Sequence, residues 1–312
     1  MLVNLAALDL PLAPPQLFGR EGPLVLEVGF GDGRFLTHLG RTHPSWNLLG
    51  VEVSLGSVTR AYKRLKREGI TSARLYKGHG RLLVRDVLPL HSLHRVYVNF
   101  PDPWPRKKHQ DRRLLQAGFF RLLSTRLAAG SALHLTTDHE PYFRFALDEA
   151  RSTGLYEITV LPPPPETLQT KYALKWQEAE RAIFHAEFTK TGEAEGFAPV
   201  IQKIPMQHAL MDGPLADIAS FTKQIHAFKG GHAVVLDAFR ALNDGVLIFT
   251  VVVEELDLRQ EVLVKAVPRD DGVFVALQGF GDPLGTRGLR EAVRAVTHWL
   301  EGQGLTMVKS WI

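Results

Sequence analysis

The chain has 312 residues, more than one average domain needs, and 45% are hydrophobic, which is ample for buried cores. It has no cysteine, which excludes disulfides, thiolate metal sites, iron–sulfur clusters and a cysteine nucleophile, and fits a cytosolic protein. The net charge of +4 is unevenly spread: residues 1–190 carry 26 Lys/Arg against 18 Asp/Glu (+8), residues 191–312 carry 11 against 15 (−4), and 54–113 alone carry 15 against 4. A polyanionic partner is therefore expected at the first part of the chain.

Residues 1–22 are rich in Leu and Pro and form an N-terminal extension without strong pattern. They lack the basic start of a signal peptide, and no apolar run in the chain is long enough to span a membrane. Residues 23–28 read as a buried strand, followed by Gly29, Gly31 and Gly33 and a helix start. A second strand over 46–52 ends in Glu52. A helix over 54–68, closed by Gly69, turns Val58, Tyr62 and Leu65 inward and sets Arg60, Lys63, Arg64 and Arg67 on another face. Short strands follow over 73–77 and 95–100.

The stretch 99–113, Asn-Phe-Pro-Asp-Pro-Trp-Pro-Arg-Lys-Lys-His-Gln-Asp-Arg-Arg, combines an acid, an indole and a basic comb at a strand end. Its prolines predict an extended, stiff backbone. Asp111 is expected to cap a helix running to 127. Strands over 131–137 and 156–161 flank a helix opened by Pro141, with a last strand over 183–188. This alternation implies a mostly parallel sheet with helices on both faces, its ligands bound beyond the carboxyl ends of the strands.

A boundary is expected at 192–196, Gly-Glu-Ala-Glu-Gly, giving domains over 23–192 and 196–312. The second half reads as a compact α+β domain with an antiparallel sheet. Its strands are placed over 221–228, 246–253, 262–267 and 273–278, and its helices over 233–242 and 287–300. No chemistry is evident in it.

The pattern Glu27-x-Gly29-x-Gly31-x-Gly33 follows strand one, and Glu52 ends strand two, where a carboxylate can accept ribose hydroxyls. A dinucleotide site would want glycine where Arg34 stands. The observed spacing suits S-adenosylmethionine, which needs no pyrophosphate cradle. NAD remains the competing cofactor. With a sulfonium methyl donor the protein must align a nucleophile and exclude water. Cytosine C5 usually needs the absent Cys. A ring nitrogen such as guanine N7 offers a free lone pair and becomes cationic, a charge that Asp102 can stabilise while holding the base. Asn99 and Asp102 end the fourth strand on the cofactor side.

These residues resemble those of the bacterial tRNA (guanine-N7)-methyltransferases over about residues 22–190. The most specific element is Phe100-Pro101-Asp102-Pro103-Trp104 with the basic run to Arg113. Leu26 to Gly33, Gly50 to Val53, Thr136-Thr137-Asp138 and Thr170-Lys171-Tyr172 match further elements. The resemblance implies a Rossmann-like class I S-adenosylmethionine methyltransferase fold and methylation of a guanine in the tRNA variable loop. It implies that Glu27 and Glu52 contact the cofactor and that Asp102 is the active-site acid. Arg106 would stand where the family has a Lys, and Asp138 and Thr170 would line the substrate pocket. The family acid after strand three is missing from Gly78-His79-Gly80-Arg81, and Ala173 replaces a Glu. The region beyond about 195 lies outside the resemblance.

Lys107, Lys108, Arg112 and Arg113, with Arg106 and the helix face at 60–67, are expected at RNA phosphates. Trp104 reads equally as packing or as a stacking wall, and Asp138 equally as a pocket residue or a cap of the helix at Pro141. His79, His94, His109 and His139 read as incidental, and no metal is expected. The alternative function is a cofactor- and RNA-binding module that has lost catalysis.

Overall fold

The structure, a computed structural model, describes residues 1–167, 182–201, 207–242 and 245–312. The chain divides into two compact units: Met1–Asn4 with Leu8–Ala198, and Leu5–Ala7 with Pro199–Ile312.

The first unit is built on a seven-stranded sheet of order β3-β2-β1-β4-β5-β7-β6. Its strands are β1 (Leu24–Val28), β2 (Asn47–Glu52), β3 (Ala73–Lys77), β4 (Leu93–Asn99), β5 (Leu127–Thr137), β6 (Tyr156–Leu161) and β7 (Phe184–Lys190). Neighbours from β3 to β5 are parallel, and β7 runs antiparallel to both β5 and β6. Four consecutive buried residues in β1, Leu24 to Glu27, mark a strand covered on both faces. Met1 to Val3, in a region without evident pattern, extends the sheet edge: Leu2 bridges Leu75 in parallel fashion.

The helices are α1 (Pro14–Phe18), α2 (Arg34–Thr42), α3 (Leu55–Arg67), α4 (Gly80–Leu82), α5 (Ala117–Ser124) and α6 (Glu140–Thr153). Ser54 caps α3 by accepting from the Ser57 N–H at 3.3 Å, and Val58, Ala61 and Leu65 are buried. Tyr62, expected inside, packs at the margin of that core, which Ala61 fills instead. Asp111 does not cap a helix. It lies in a 3-10 turn, Lys107–Arg112, and α5 begins only at Ala117, whose N–H donates to Glu149 Oε2 of α6 at 2.6 Å.

The second unit is a seven-stranded antiparallel sheet of order β14-β8-β13-β12-β11-β10-β9. Its strands are β8 (His208–Asp212), β9 (Gln224–Phe228), β10 (Gly231–Arg240), β11 (Leu247–Glu255), β12 (Leu258–Arg269), β13 (Gly272–Leu277) and β14 (Thr306–Ser310). The helix α7 (Arg287–Gly302) buries Leu289, Val293, Val296 and Leu300 with the inward residues Val235, Phe249, Val251 and Val264. Each such side chain stabilises the unit by roughly 1.5–3 kcal/mol. The helix expected over 233–242 is instead strand β10, where a register shift between Val235 and Asp237 breaks the alternation that marks a strand.

Candidate active site

Strand β1 pairs with β2 on one side and β4 on the other, so the chain order reverses between β1 and β4. Such a reversal opens a crevice at the carboxyl ends of the strands. Glu27 and Asn99 flank it. Asn99 Nδ2 donates to Glu27 Oε1 at 3.4 Å, and both side chains are buried. Glu27 Oε2 and Asn99 Oδ1 are buried without a hydrogen-bond partner among the described residues. Burial pushes the Glu27 carboxyl from 4.5 up to about 8, against the pull of the Asn99 bond, and the charges of Glu52 and Asp32 add to the rise. Two buried oxygens left unpaired cost free energy unless a ligand completes them. A ligand bearing a cationic N–H group fits this pair.

The three glycines all have positive φ: 81° at Gly29, 55° at Gly31 and 76° at Gly33. A Cβ on Gly29 or Gly31 would meet nothing within 4 Å, so these two face open space where a ligand can approach. Gly33 serves a different end. A Cβ there would stand 2.7 Å from Ala61 Cβ, so this glycine admits α3 against the loop. Glu52, expected at ribose hydroxyls, also holds the loop: its Oε2 accepts from Gly31 N–H at 3.1 Å and its Oε1 from Ser54 N–H at 2.9 Å. Each oxygen keeps a lone pair for a further donor. After β3, Gly80 passes tightly over β1, since a Cβ would come 2.6 Å from Val28 Cγ1. The next acid along the chain, Asp86, is buried and ion-paired with Arg85 at 2.9 Å.

The Asp102 stretch is not simply extended. Phe100 N–H donates to Thr136 O at 2.7 Å, continuing the β4–β5 pairing. Phe100 then takes φ 50° and Trp104 φ 40°. Each precedes a proline, which restricts it further. Non-glycine residues in this region cost on the order of 1–3 kcal/mol each and persist only where the surroundings hold them. Asp102 lies between them, exposed, with no hydrogen bond or ion pair among the described residues. Arg106, Lys107 and Lys108 are likewise exposed, and their side chains are without ion pairs among the described residues. The Arg112 guanidinium lies 5.2 Å from the Trp104 ring centroid, and the His109 ring meets the same indole edge-on at 6.0 Å.

Arg113 departs from its expected place at RNA phosphates. It is only 4% exposed. Its Nε donates to Pro103 O at 2.9 Å and one terminal nitrogen to Trp104 O at 3.5 Å. The guanidinium stacks over Tyr142 and Phe145 of α6, at 5.5 and 4.6 Å. On α3, Arg64 is ion-paired with Asp32 at 3.2 Å and Arg67 with Glu68 at 3.2 Å, which leaves a shorter basic face than the sequence suggests.

Asp138 follows β5 but is not the cap of α6. His139 fills that role, its Nδ1 accepting from Tyr142 N–H at 3.0 Å. This use requires a neutral Nδ1, and a His just before Glu140-Pro141 is a weaker cap signal than an Asp or Ser. Thr170, Lys171, Tyr172 and Ala173 lie outside the described residues. Among the described residues no group of three or more His, Asp or Glu could hold a metal ion, and no helix is long and apolar enough to cross a membrane.

A family model described as a putative methyltransferase matches residues 21–186. The tRNA (guanine-N(7)-)-methyltransferase of Thermus thermophilus is 49% identical over 299 residues, covering 95% of this chain and 96% of its own. Its counterpart from Deinococcus radiodurans is 42% identical over 315 residues, covering 97% and 98%. The one from Bordetella pertussis is 39% identical over 183 residues, covering 58% of this chain and 72% of its own. Similarity to the first two runs through the second unit, so the resemblance extends past residue 195, where it was expected to end. The chain belongs to the tRNA (guanine-N7)-methyltransferase family.

Proposed function

We propose that the chain transfers a methyl group from S-adenosylmethionine to N7 of a guanine in tRNA, working in the cytosol. One observation carries the reading: two buried oxygens, Glu27 Oε2 and Asn99 Oδ1, lie unpaired among the described residues at the sheet's reversal point, and three residues past Asn99 stands the Asp102 carboxylate, also without a partner among them. S-adenosylmethionine, when bound, supplies a methyl group already activated on a sulfonium. Glu27 and Asn99 accept from its cationic amino-acid end, Gly29 and Gly31 let it approach the backbone, and Glu52 offers its remaining lone pairs to ribose hydroxyls.

Guanine N7 carries a lone pair and no proton, so no residue has to act as base there. Asp102 instead accepts N–H groups of the base and stabilises the positive charge that N7 methylation leaves on the ring. Trp104 walls the base, and Arg106, Lys107, Lys108 and Arg112 meet the phosphates. Asp138 and Thr170 complete the pocket on the strength of the family resemblance.

The test compares the wild type with Asp102→Ala for thermal stabilisation by S-adenosylmethionine and for transfer of tritiated methyl to tRNA. The variant is expected to keep the stabilisation and lose turnover by about 100- to 1,000-fold, the scale of removing one charge-stabilising group. Wild-type turnover in Asp102→Ala removes the assignment. Stabilisation without transfer by the wild type itself identifies a binding module that has lost catalysis.

A further inference from the structure

We propose that Arg113 is a positioning residue, whose buried guanidinium ties the Asp102 loop to α6 and so fixes where Asp102 meets the base. The inference rests on the proposed methylation of guanine N7 and names a residue that shapes that site without touching substrate.

The basic run from Arg106 to Arg113 splits by burial. Arg106, Lys107, Lys108 and Arg112 are exposed, whereas Arg113 is turned inside. A cation meant for phosphate has no reason to leave water. Arg113 has no ion pair among the described residues, and its partners are two carbonyl oxygens and two aromatic faces. The carbonyls belong to Pro103 and Trp104, the two residues directly after Asp102.

Arg112 and His109 pack on the Trp104 ring, but the carbonyls of Pro103 and Trp104 are held by Arg113. Pro101, Pro103 and Pro105 contribute no N–H donors, which leaves fewer backbone groups to pair the carbonyls of this stretch. Phe100 and Trp104, both at positive φ, bracket Asp102 and need their surroundings to keep them there. Arg113 supplies that hold. Its guanidinium plane can donate to two carbonyls while lying on the rings of Tyr142 and Phe145, which a lysine ammonium cannot reproduce.

The anchoring helix is itself fixed at this end. Tyr142 is fully buried, its N–H donates to the His139 cap, and its hydroxyl accepts from Leu115 N–H at 3.4 Å. The tie therefore runs from the Asp102 loop through Arg113 to the first two turns of α6, whose cap His139 follows Asp138. One arginine thus sets the spacing of the two acid-bearing loops.

The experiment uses Arg113→Lys and Phe145→Leu in the full chain. It measures kcat and KM for tRNA, the salt dependence of tRNA binding, and hydrogen exchange of the peptide covering 99–113. Expected for Arg113→Lys is a fall in kcat of about 10- to 100-fold, as a small misplacement of a reacting group produces. The KM for tRNA and the salt slope stay as in the wild type, and exchange quickens at Phe100, Asp102 and Trp104 but not in β4. The charge-removing Arg113→Gln serves the salt series: a slope reduced by about 0.7–0.9 with kcat unchanged shows a phosphate contact and overturns the proposal. Faster exchange with unchanged kcat also overturns it, leaving Arg113 a purely structural residue. Should Arg113→Lys not fold, Phe145→Leu trims one stacking face only and is read by the same criteria. A wild type that forms no N7-methylguanosine sinks the functional reading instead, while exchange still decides whether Arg113 orders the loop.

Discussion

Replacing Glu27 by Gln probes the cofactor end directly. The carboxyl is buried, one oxygen is unpaired, and its pKa stands at about 8 instead of 4.5. The folded protein without cofactor therefore keeps a proton that the unfolded chain gives up. The stability this contributes is complete below about pH 4.5, falls as pH rises, and is gone above about pH 8. At about 1.4 kcal/mol per unit, the span from 4.5 to about 8 sets an upper bound of about 5 kcal/mol. A cationic ligand needs the ionised form, which is about 1% populated at pH 6 and about half populated at pH 8. Wild-type affinity for S-adenosylmethionine should thus tighten roughly fifty-fold between those two pH values, with a proton released on binding at the lower one. Glu27→Gln should bind weakly and equally at both, and should lose the decline in cofactor-free stability. Titration calorimetry in two buffers of different ionisation heat, with thermal melts across the same range, reads all three effects. Equal wild-type affinity at pH 6 and pH 8 without proton release would refute the reasoning.

The double substitution Lys107→Ala/Lys108→Ala should weaken tRNA binding and reduce the salt slope by about 1.4–1.8, or about 0.7–0.9 for each phosphate no longer neutralised; an unchanged slope moves the RNA path elsewhere. Gly33→Ala should destabilise the first unit by about 1–3 kcal/mol, because its Cβ would meet Ala61 Cβ at 2.7 Å in a left-handed backbone. Gly29→Ala meets open space, so it should lose only the part of that stability due to left-handed strain at φ 81° and act in addition on cofactor affinity. Chemical denaturation and cofactor titration of the pair separate the two roles, and equal stability of both variants argues against the division.

Much of the site is legible in the sequence because its elements are local. Gly29, Gly31, Gly33 and Glu52 announce themselves by spacing, and the Asp102 stretch by composition. What escapes depends on distant partners. No pattern in 106–113 tells which cation turns inward; that choice is made by Tyr142 and Phe145, some thirty residues on. The start of α5 is set by Glu149, 32 residues away, so Asp111 looks like a better cap than it is. Residues 233–242 are rich in the helix formers Ala, Leu and Arg, yet neighbouring strands claim them, and a bulge conceals the alternation. Likewise β8 and β14 are short strands, and the pairing of β8 with β14 on one side and with β13 on the other supplies a signal absent from either alone.

The central claim is the identity of the product. Purified protein is incubated with tRNA and S-adenosylmethionine, the tRNA is digested to nucleosides, and the nucleosides are separated by mass and retention. The account predicts N7-methylguanosine, formed by the wild type and nearly absent with Asp102→Ala. Methylation at any other base or atom, or none at all, would contradict it.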